Sequence, residues 1–255
     1  MLPLRLLAPA AVALMLCGAP SIATAQSFSD SQRGEIEGII KNYLLTHPEI
    51  LEDMSAELSK RQAAVEKVRQ AESVKKYSEL IFNSPRGVVV GNKDGDVTFV
   101  EFFDYNCGYC KQAMADMMNL MKADPKLRVV LKEFPVLGEA SVEAAQVAVA
   151  VRMQDPTGKK YLDFHQRLMG GRGQANRARA LAAAKEAGLD MARIEKDMVS
   201  PEVRETLQES LALSQEMGIN GTPSYVVGDK VMVGAVGFDR LKQAISEARC
   251  GKSTC

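Results

Sequence analysis

The sequence predicts an α/β fold in which a sheet with parallel strands is interrupted by a helical insertion and preceded by an N-terminal helical segment. Val129, Val130 and Leu131 form a continuous apolar run, which is typical of a strand buried on both faces of a parallel sheet. Strand-like runs lie on both sides of a helical block at about residues 139–217. Two cysteines stand where the strand at residues 97–103 gives way to a helix.

The length and composition suit one or two globular domains. The chain has 255 residues, of which 46% are hydrophobic, and this is enough for a sizeable core. The 32 Lys and Arg residues equal the 32 Asp and Glu residues in number, so the formal net charge is zero. A zero net charge gives no electrostatic basis for nucleic-acid binding, and we expect no nucleic-acid partner.

Residues 1–25 have the organisation of a secretory signal peptide. Arg5 precedes an apolar stretch at residues 6–16, and the Ala-Thr-Ala sequence at residues 23–25 forms a cleavage signature before Gln26. The apolar stretch is too short to remain in a membrane as a spanning helix. We therefore expect export to an oxidising compartment, which we take to be a bacterial periplasm.

The cysteine count fits an exported protein. Cys17 lies in the leader, and the bulky Leu16 before it argues against a lipid anchor at this cysteine. Removal of the leader leaves four of the five cysteines, an even number that fits two disulfides: Cys107, Cys110, Cys250 and Cys255. The last two follow the final predicted helix, where we expect a structural disulfide that pins the tail. A metal clip or a second redox pair is the alternative.

Residues 29–82 are predicted to be helical. Ser29 and Gln32 make a capping box, and Thr46, with Pro48 in the first turn, marks a second helix start. Apolar residues recur at three- and four-residue steps: Ile36, Ile39, Ile40, Tyr43, Leu44, Leu51, Met54, Leu58, Val65 and Val68. Such a narrow stripe on a polar helix indicates either a surface that associates with copies of itself or docking on the chain's own next domain.

The remaining elements follow a hinge at residues 83–87, which contains Pro85 and Gly87. The predicted strands are residues 88–90, 97–103, 127–134, 224–227 and 231–233. The predicted helices are residues 111–122, 141–154, 161–169, 177–187, 191–198, 201–217 and 238–249. We therefore divide the mature chain into a helical oligomerisation stalk with its linker at residues 26–84 and a catalytic domain at residues 85–255.

Cys107 and Cys110, separated by Gly108 and Tyr109, are the arrangement that thiol–disulfide exchange needs. Cys107 lies nearer the helix N-terminus, where the dipole and free N–H groups favour a thiolate, so we assign it as the nucleophile. Cys110, one turn further on, resolves the mixed disulfide. The alternatives are a structural disulfide and half of a zinc site, but the sequence has neither a second CxxC motif nor a histidine pair for zinc.

Residues 102–110, together with Thr222 and Pro223, resemble the DsbA branch of the thioredoxin-fold superfamily, and the resemblance extends over about residues 84–249. It implies a thioredoxin fold with an inserted helical domain. It also implies a cis Pro223 facing the cysteines, with the backbone of Thr222 offered to an extended client peptide. Gly108 and Tyr109 would line the same client site. An ordinary trans proline at the start of a strand is the alternative.

Glu101 lies six residues before Cys107 in an apolar strand. Its position matches the buried acid of the thioredoxin family, which implies that it takes or gives the proton of Cys110 during exchange. A strand residue that faces solvent is the alternative.

Residues 43–51 resemble the N-terminal stalk of the ScsC family, named for suppression of copper sensitivity. The resemblance implies a homotrimer and a disulfide isomerase or reductase that acts on misfolded disulfide-containing secreted proteins. It also implies a membrane reductase of the DsbD or ScsB type as electron donor, and a link to copper tolerance. Gly108 and Tyr109 form the dipeptide of the isomerase DsbC, which favours rearrangement. A DsbA-like dithiol oxidase and a Cu(I)-binding protein are the alternatives.

A methionine stripe follows the cysteine pair at helical spacing: Met114, Met117, Met118 and Met121. Thioethers bind Cu(I), but this spacing is more typical of a packed core or of an adaptable client surface. His47 and His165 are isolated and are expected in a cap region and on a helix face. We therefore assign no metal site and no cofactor beyond the redox-active cysteines, with Cu(I) as the one ion considered.

Overall fold

The protein is described by a computed structural model that covers residues 28–255. The predicted signal peptide and Cys17 lie outside the described residues. The helices are α1 (Asp30–Thr46), α2 (Glu49–Lys76), α3 (Ser78–Phe82), α4 (Gly108–Ala123), α5 (Glu139–Gln154), α6 (Lys159–Gly170), α7 (Arg177–Glu186), α8 (Met191–Asp197), α9 (Pro201–Glu216) and α10 (Phe238–Cys250). The strands are β1 (Val88–Gly91), β2 (Val97–Phe103), β3 (Leu127–Glu133), β4 (Ser224–Val227) and β5 (Lys230–Val233). Within residues 28–255, no helix is long and apolar enough to cross a bilayer.

The described residues form two compact units, which meet in the sequence between Glu57 and Leu58. In the first unit, α1 begins with the predicted capping box, in which Ser29 Oγ accepts from the Gln32 N–H at 3.3 Å and the Gln32 side chain accepts from the Ser29 N–H at 3.0 Å. No residue of α1 is buried, and Ile39 is 69% exposed. The apolar face of α1 therefore has no covering partner among the residues that the structure describes.

The second unit contains a five-stranded sheet in the order β1-β3-β2-β4-β5. β2 and β3 pair in parallel at its centre, and the other pairs are antiparallel. The prediction of a buried parallel strand is confirmed, because Val129, Val130 and Leu131 are all buried within β3. The carboxyl ends of β2 and β3 lie side by side, and the cysteine pair follows directly after β2.

The two faces of the sheet contribute to two separate hydrophobic clusters. Phe99 and Phe103 pack in the cluster that includes residues of α4, α10 and the inserted helices, whereas Val100 and Phe102 pack in a cluster with residues of α9. This alternation is the period of two expected for a strand. The helices α5 to α9 follow β3 and precede β4, as expected for an insertion between two β regions.

Two local features differ from or sharpen the sequence predictions. The helix after the cysteine pair begins at Gly108, not at Lys111, because Cys107 itself adopts the extended backbone of an N-cap.

Gly158, with a φ of 71°, lies directly before α6, at a position where any side chain would collide with the Val89 carbonyl. This close approach sets α6 against the edge strand β1.

The chain ends in the expected disulfide. Cys250, the last residue of α10, is bonded to Cys255 with an S–S distance of 2.14 Å. Gly251 ends the helix in the left-handed region, with a φ of 75°, which lets the tail turn back toward Cys250.

Candidate active site

Cys107 stands at the N-cap of α4, directly beyond the end of β2. Cys107 is 6% exposed and Cys110 is 1% exposed, and both are free thiols. An N-cap residue lies next to the unpaired N–H groups of the first turn and to the positive end of the helix dipole, and Cys107 occupies this position without a side-chain capping bond. The more accessible sulfur is therefore the one that the sequence predicts as nucleophile, and the more deeply buried one is its predicted resolving partner.

The loop that contains Pro223 lies against both cysteines. The peptide bond between Thr222 and Pro223 is cis, so the predicted isomer is confirmed. The Cys107 thiol donates to the Thr222 carbonyl at 3.2 Å. Burial raises the pKa of Cys110, and a hydrogen bond with the Thr222 side chain opposes part of this rise. Thr222 therefore touches both reacting sulfurs, and its carbonyl loses the thiol proton as a partner once Cys107 forms a disulfide.

Gly108 and Tyr109 form the exposed edge of the site next to Cys107. Tyr109 is 65% exposed, and a side chain added at Gly108 would meet nothing within 4 Å. Both residues therefore face solvent beside Cys107, where an approaching polypeptide can contact them. Their role in client binding stays a prediction.

Glu101 is buried in β2, being 3% exposed, so the alternative of a solvent-facing residue is wrong. Burial raises the pKa of its carboxyl to about 8, and the nearby charge of Asp116 adds to the shift. Burial also raises the pKa of the Cys110 thiol well above its ordinary value, and the charge of Glu101 acts in the same direction. The carboxyl and the thiol therefore interact electrostatically, and proton exchange between them stays a prediction.

Tyr225 pairs with Glu101 across the β2–β4 ladder. Its side chain is 1% exposed, and its hydroxyl has no hydrogen-bond partner among the described residues. Burial raises the pKa of this hydroxyl, and the charges of Glu101 and Cys110 add to the effect. No sequence pattern singles out this tyrosine, because its environment depends on the pairing of two strands that are distant in the sequence.

A second buried polar cluster surrounds Tyr105, two residues before the nucleophile. The Tyr105 hydroxyl lies 3.2 Å from Nδ1 of His165 and 3.4 Å from both Glu133 and the Tyr161 hydroxyl. Tyr161 donates to Glu133 at 2.5 Å. Burial raises the pKa of Glu133 to about 8 and lowers the pKa of His165 to about 3, so both side chains are predominantly neutral at pH 7.

The methionine stripe packs inward. Met117 is 1% exposed, and Met114, Met118 and Met121 are partly buried against the main core cluster. The Met118 sulfur accepts a hydrogen bond from Gln166 at 3.1 Å. In residues 28–255 there is no group of three or more His, Cys, Asp or Glu side chains that could hold a metal ion.

The comparisons with known proteins agree with this geometry. Residues 98–246 match the DSBA-like thioredoxin domain family. Residues 32–64 match the copper resistance protein ScsC N-terminal domain. The disulfide bond formation protein D of Bacillus subtilis strain 168 is 30% identical over 179 residues, which cover 64% of this chain and 78% of that protein.

Solved structures extend the similarity. A thioredoxin-like oxidoreductase from Silicibacter pomeroyi DSS-3 is 47% identical with a TM-score of 0.63, covering 67% of this chain and 96% of that one. Proteus mirabilis ScsC in a transitional conformation is 30% identical with a TM-score of 0.64, covering 88% of this chain and 98% of that one.

Two further relatives are much longer proteins. The Na⁺/H⁺ antiporter NhaA of Herminiimonas arsenicoxydans is 27% identical over 167 residues, but these cover only 26% of that protein. NhaA 1 of Salinispora arenicola is 25% identical over 25% of its length. The chain thus spans about a quarter of each antiporter.

Proposed function

This chain belongs to the DSBA-like thioredoxin domain family and is a thiol–disulfide oxidoreductase of the DsbA/ScsC type, and from that premise we propose that it is a periplasmic protein disulfide isomerase and reductase. The observation that carries the exchange chemistry is the Cys107 thiol at the N-terminus of α4, bonded to the Thr222 carbonyl at 3.2 Å. Its clients are secreted proteins with non-native disulfides. The leader that the sequence predicts at residues 1–25 supports export to the periplasm.

The reaction begins when the Cys107 thiolate attacks one sulfur of a client disulfide. The client S–S bond breaks, its second sulfur leaves as a thiolate, and a mixed disulfide with Cys107 forms. In isomerisation, another client thiolate attacks the client sulfur of this adduct and Cys107 leaves as a thiolate, so no net electrons are transferred. A new client disulfide then replaces the old one.

Reduction starts from the same mixed disulfide between Cys107 and the client and follows a second route. The ionised form of Glu101, which is the minor form at pH 7 because its pKa is about 8, accepts the proton of Cys110. The Cys110 thiolate then attacks the sulfur of Cys107. The client leaves as a thiolate, and a disulfide between Cys107 and Cys110 remains. This disulfide must take two electrons from a reductase, for which we propose a membrane protein of the DsbD or ScsB type.

The exposed face of α1 supports isomerisation over simple oxidation. Ile39, Ile40 and Tyr43 are 69%, 53% and 54% exposed, which is unusual for apolar residues on one face of a helix. We propose that this face pairs with other copies of the chain, with a trimer favoured. Several Cys107 thiols then act on one client, and this raises their effective concentration.

The match of residues 32–64 to the copper resistance protein ScsC N-terminal domain supports a link to copper tolerance. We propose that the chain contributes to copper tolerance by repairing wrongly paired disulfides. In this proposal copper acts on the clients, since the methionine stripe packs into the core.

The test compares two single substitutions in the full mature chain. Ile40→Glu places a charge on the apolar face of α1, and Asn42→Glu places the same charge two residues away at another exposed position. We expect Ile40→Glu to reduce the solution mass to that of one chain and to slow reactivation of a scrambled-disulfide client about tenfold or more. Asn42→Glu should leave both quantities unchanged, and alkylation of Cys107 should be equal in both variants.

Two results would contradict the proposal. If the wild-type chain oxidises reduced clients but does not reactivate a scrambled client, the protein is an oxidase. If Ile40→Glu changes the mass but not the reactivation rate per Cys107, association through α1 is irrelevant to isomerisation.

A further inference from the structure

The residue before the nucleophile, Asn106, is bonded to the inserted helices by its whole side-chain amide. Its Nδ2 donates to the Ala175 carbonyl at 2.9 Å, and its Oδ1 accepts from the Ala175 N–H at 2.7 Å. Ala175 is 1% exposed and lies in the connection between α6 and α7. The asparagine therefore pairs with the backbone of the insertion as a neighbouring strand residue would.

The second Nδ2 hydrogen extends this pairing into a chain of buried polar groups. It is donated to the Ser141 hydroxyl at 2.9 Å, and Ser141 donates in turn to Asp104 Oδ1 at 2.8 Å. Asp104 also accepts the Asn106 backbone N–H at 2.7 Å. Its other oxygen accepts from the N–H groups of Val136 and Leu137 at 2.9 and 3.0 Å.

Only asparagine satisfies this arrangement. The site offers an N–H donor and two acceptors, and a side-chain amide of this length supplies one acceptor and two donors to match them. Aspartate has the same shape but would set a carboxylate against the Ala175 carbonyl and close to Asp104. Serine or alanine would leave the buried carbonyl and N–H of Ala175 unpaired.

We propose that Asn106 is a positioning residue for Cys107, through which the inserted helices set the reactivity of the nucleophile. The side chain of Asn106 is held by α5 and by the α6–α7 connection, and its backbone leads directly into the N-cap of α4. This fixes where the Cys107 sulfur lies relative to the helix N-terminus and to the Thr222 carbonyl. The proposal rests on the exchange chemistry of Cys107 and does not depend on isomerisation being the favoured direction.

The test uses Asn106→Ala with Asn92→Ala as its matched control. Asn92 is also half-buried and bonds to backbone through both side-chain atoms, to Pro125 O and from Asp94 N, each at 3.0 Å. It follows β1 at the end of the sheet away from the cysteines. Comparable losses of thermal stability are therefore expected in the two variants.

Two readouts separate positioning from folding. The first is the rate constant for alkylation of Cys107 at neutral pH, with the site assigned by mass spectrometry. The second is the equilibrium in which the dithiol and oxidised glutathione give the Cys107–Cys110 disulfide and two reduced glutathiones. We expect Asn106→Ala to slow alkylation about tenfold, because a small displacement of a reacting group costs rate steeply, and to shift the equilibrium constant at least about threefold.

Asn92→Ala should leave both readouts at the wild-type values. If Asn106→Ala does not fold, Ser141→Ala and Asn106→Asp serve in its place, and both should slow alkylation. Wild-type rates and equilibria in the folded Asn106 and Ser141 variants would overturn the proposal. Alkylation is measured without a client, so its result does not depend on isomerase activity. The isomerase proposal fails on a different result, which is that scrambled clients are not reactivated.

Discussion

Replacing Glu101 with glutamine separates the chemistry of the buried carboxyl from its effect on stability. The glutamine keeps the size of the side chain and its burial in β2 but holds no titratable proton. Burial raises the pKa of Glu101 from 4.5 to about 8. Between these two values the folded protein keeps a proton that the unfolded chain has released, so its stability falls as the pH rises through this window.

The size of the effect follows from the shift in pKa. Retaining the proton costs the folded wild type about 1 kcal/mol near pH 5 and about 3 kcal/mol near pH 7. Glutamine removes this pH dependence. We therefore compare the free energies of unfolding of Glu101→Gln and the wild type, measured with urea at pH 5 and at pH 7. The variant's free energy minus that of the wild type should be about 2 kcal/mol larger at pH 7 than at pH 5.

The same substitution should slow the step in which Cys110 releases the client. The pKa of Cys110 is raised by burial, so its thiol needs a base before it can attack. With a client trapped on Cys107, we expect release from Glu101→Gln to be about 100-fold slower, while alkylation of Cys107 is unchanged. The measurement is stopped-flow detection of the freed client thiol.

Glu133→Gln is the matched control, because Glu133 is equally buried and its pKa is also raised to about 8. It should flatten the pH dependence of stability in the same way without slowing release. Equal release rates for wild type and Glu101→Gln would refute the assignment of Glu101 as the base. An unchanged pH dependence of stability would refute the buried, protonated state.

The remaining predictions concern the buried hydroxyls and the tail. Tyr161→Phe removes the hydroxyl that donates to Glu133 at 2.5 Å and should lower the free energy of unfolding by about 1–3 kcal/mol in urea titrations, and an unchanged stability would contradict the hydrogen bond. Tyr225→Phe removes a hydroxyl without a hydrogen-bond partner among the described residues, so its thermal midpoint should equal or exceed that of the wild type, and a clear loss would reveal a missed partner. Replacing Cys250 and Cys255 with serine opens a short loop and should cost about 2 kcal/mol or less while exchange activity stays unchanged, whereas lost activity would make the tail a second redox centre.

Several features of the fold and the site could be predicted from sequence because their signals are local. The apolar run around Val130 indicates a buried strand whatever lies next to it. The two cysteines at a strand-to-helix junction predict the exchange site in the same way, and the alternation around Glu101 predicts its burial. Each of these conclusions needs only residues within one element and its immediate neighbours.

The polar cluster around Tyr105 could not be found in this way. Its partners Glu133 and His165 are 28 and 60 residues away in the sequence. The two hydrogen bonds between Asn106 and Ala175 join residues that lie 69 positions apart in the sequence. A buried polar group is recognisable only once its partners are known. Here His165 and Ala175 lie in a helical insertion whose packing no periodic pattern specifies.

The start of α4 was predicted three residues too late for a related reason. The residue directly before Gly108 is a cysteine, which is not a favoured capping residue, and the structure uses it as the N-cap without any side-chain capping bond. The reactive sulfur thus belongs to the residue position at which other helices carry a capping oxygen. This position places Cys107 at the positive end of the helix dipole, which favours its thiolate.

The most direct test of the central claim is to trap a client on the Cys110→Ala variant and locate the bond by mass spectrometry. The account predicts a mixed disulfide at Cys107 that persists because its resolving thiol is missing. A Cys107→Ala variant that forms adducts at Cys110, or that still rearranges client disulfides as fast as the wild type, would contradict it.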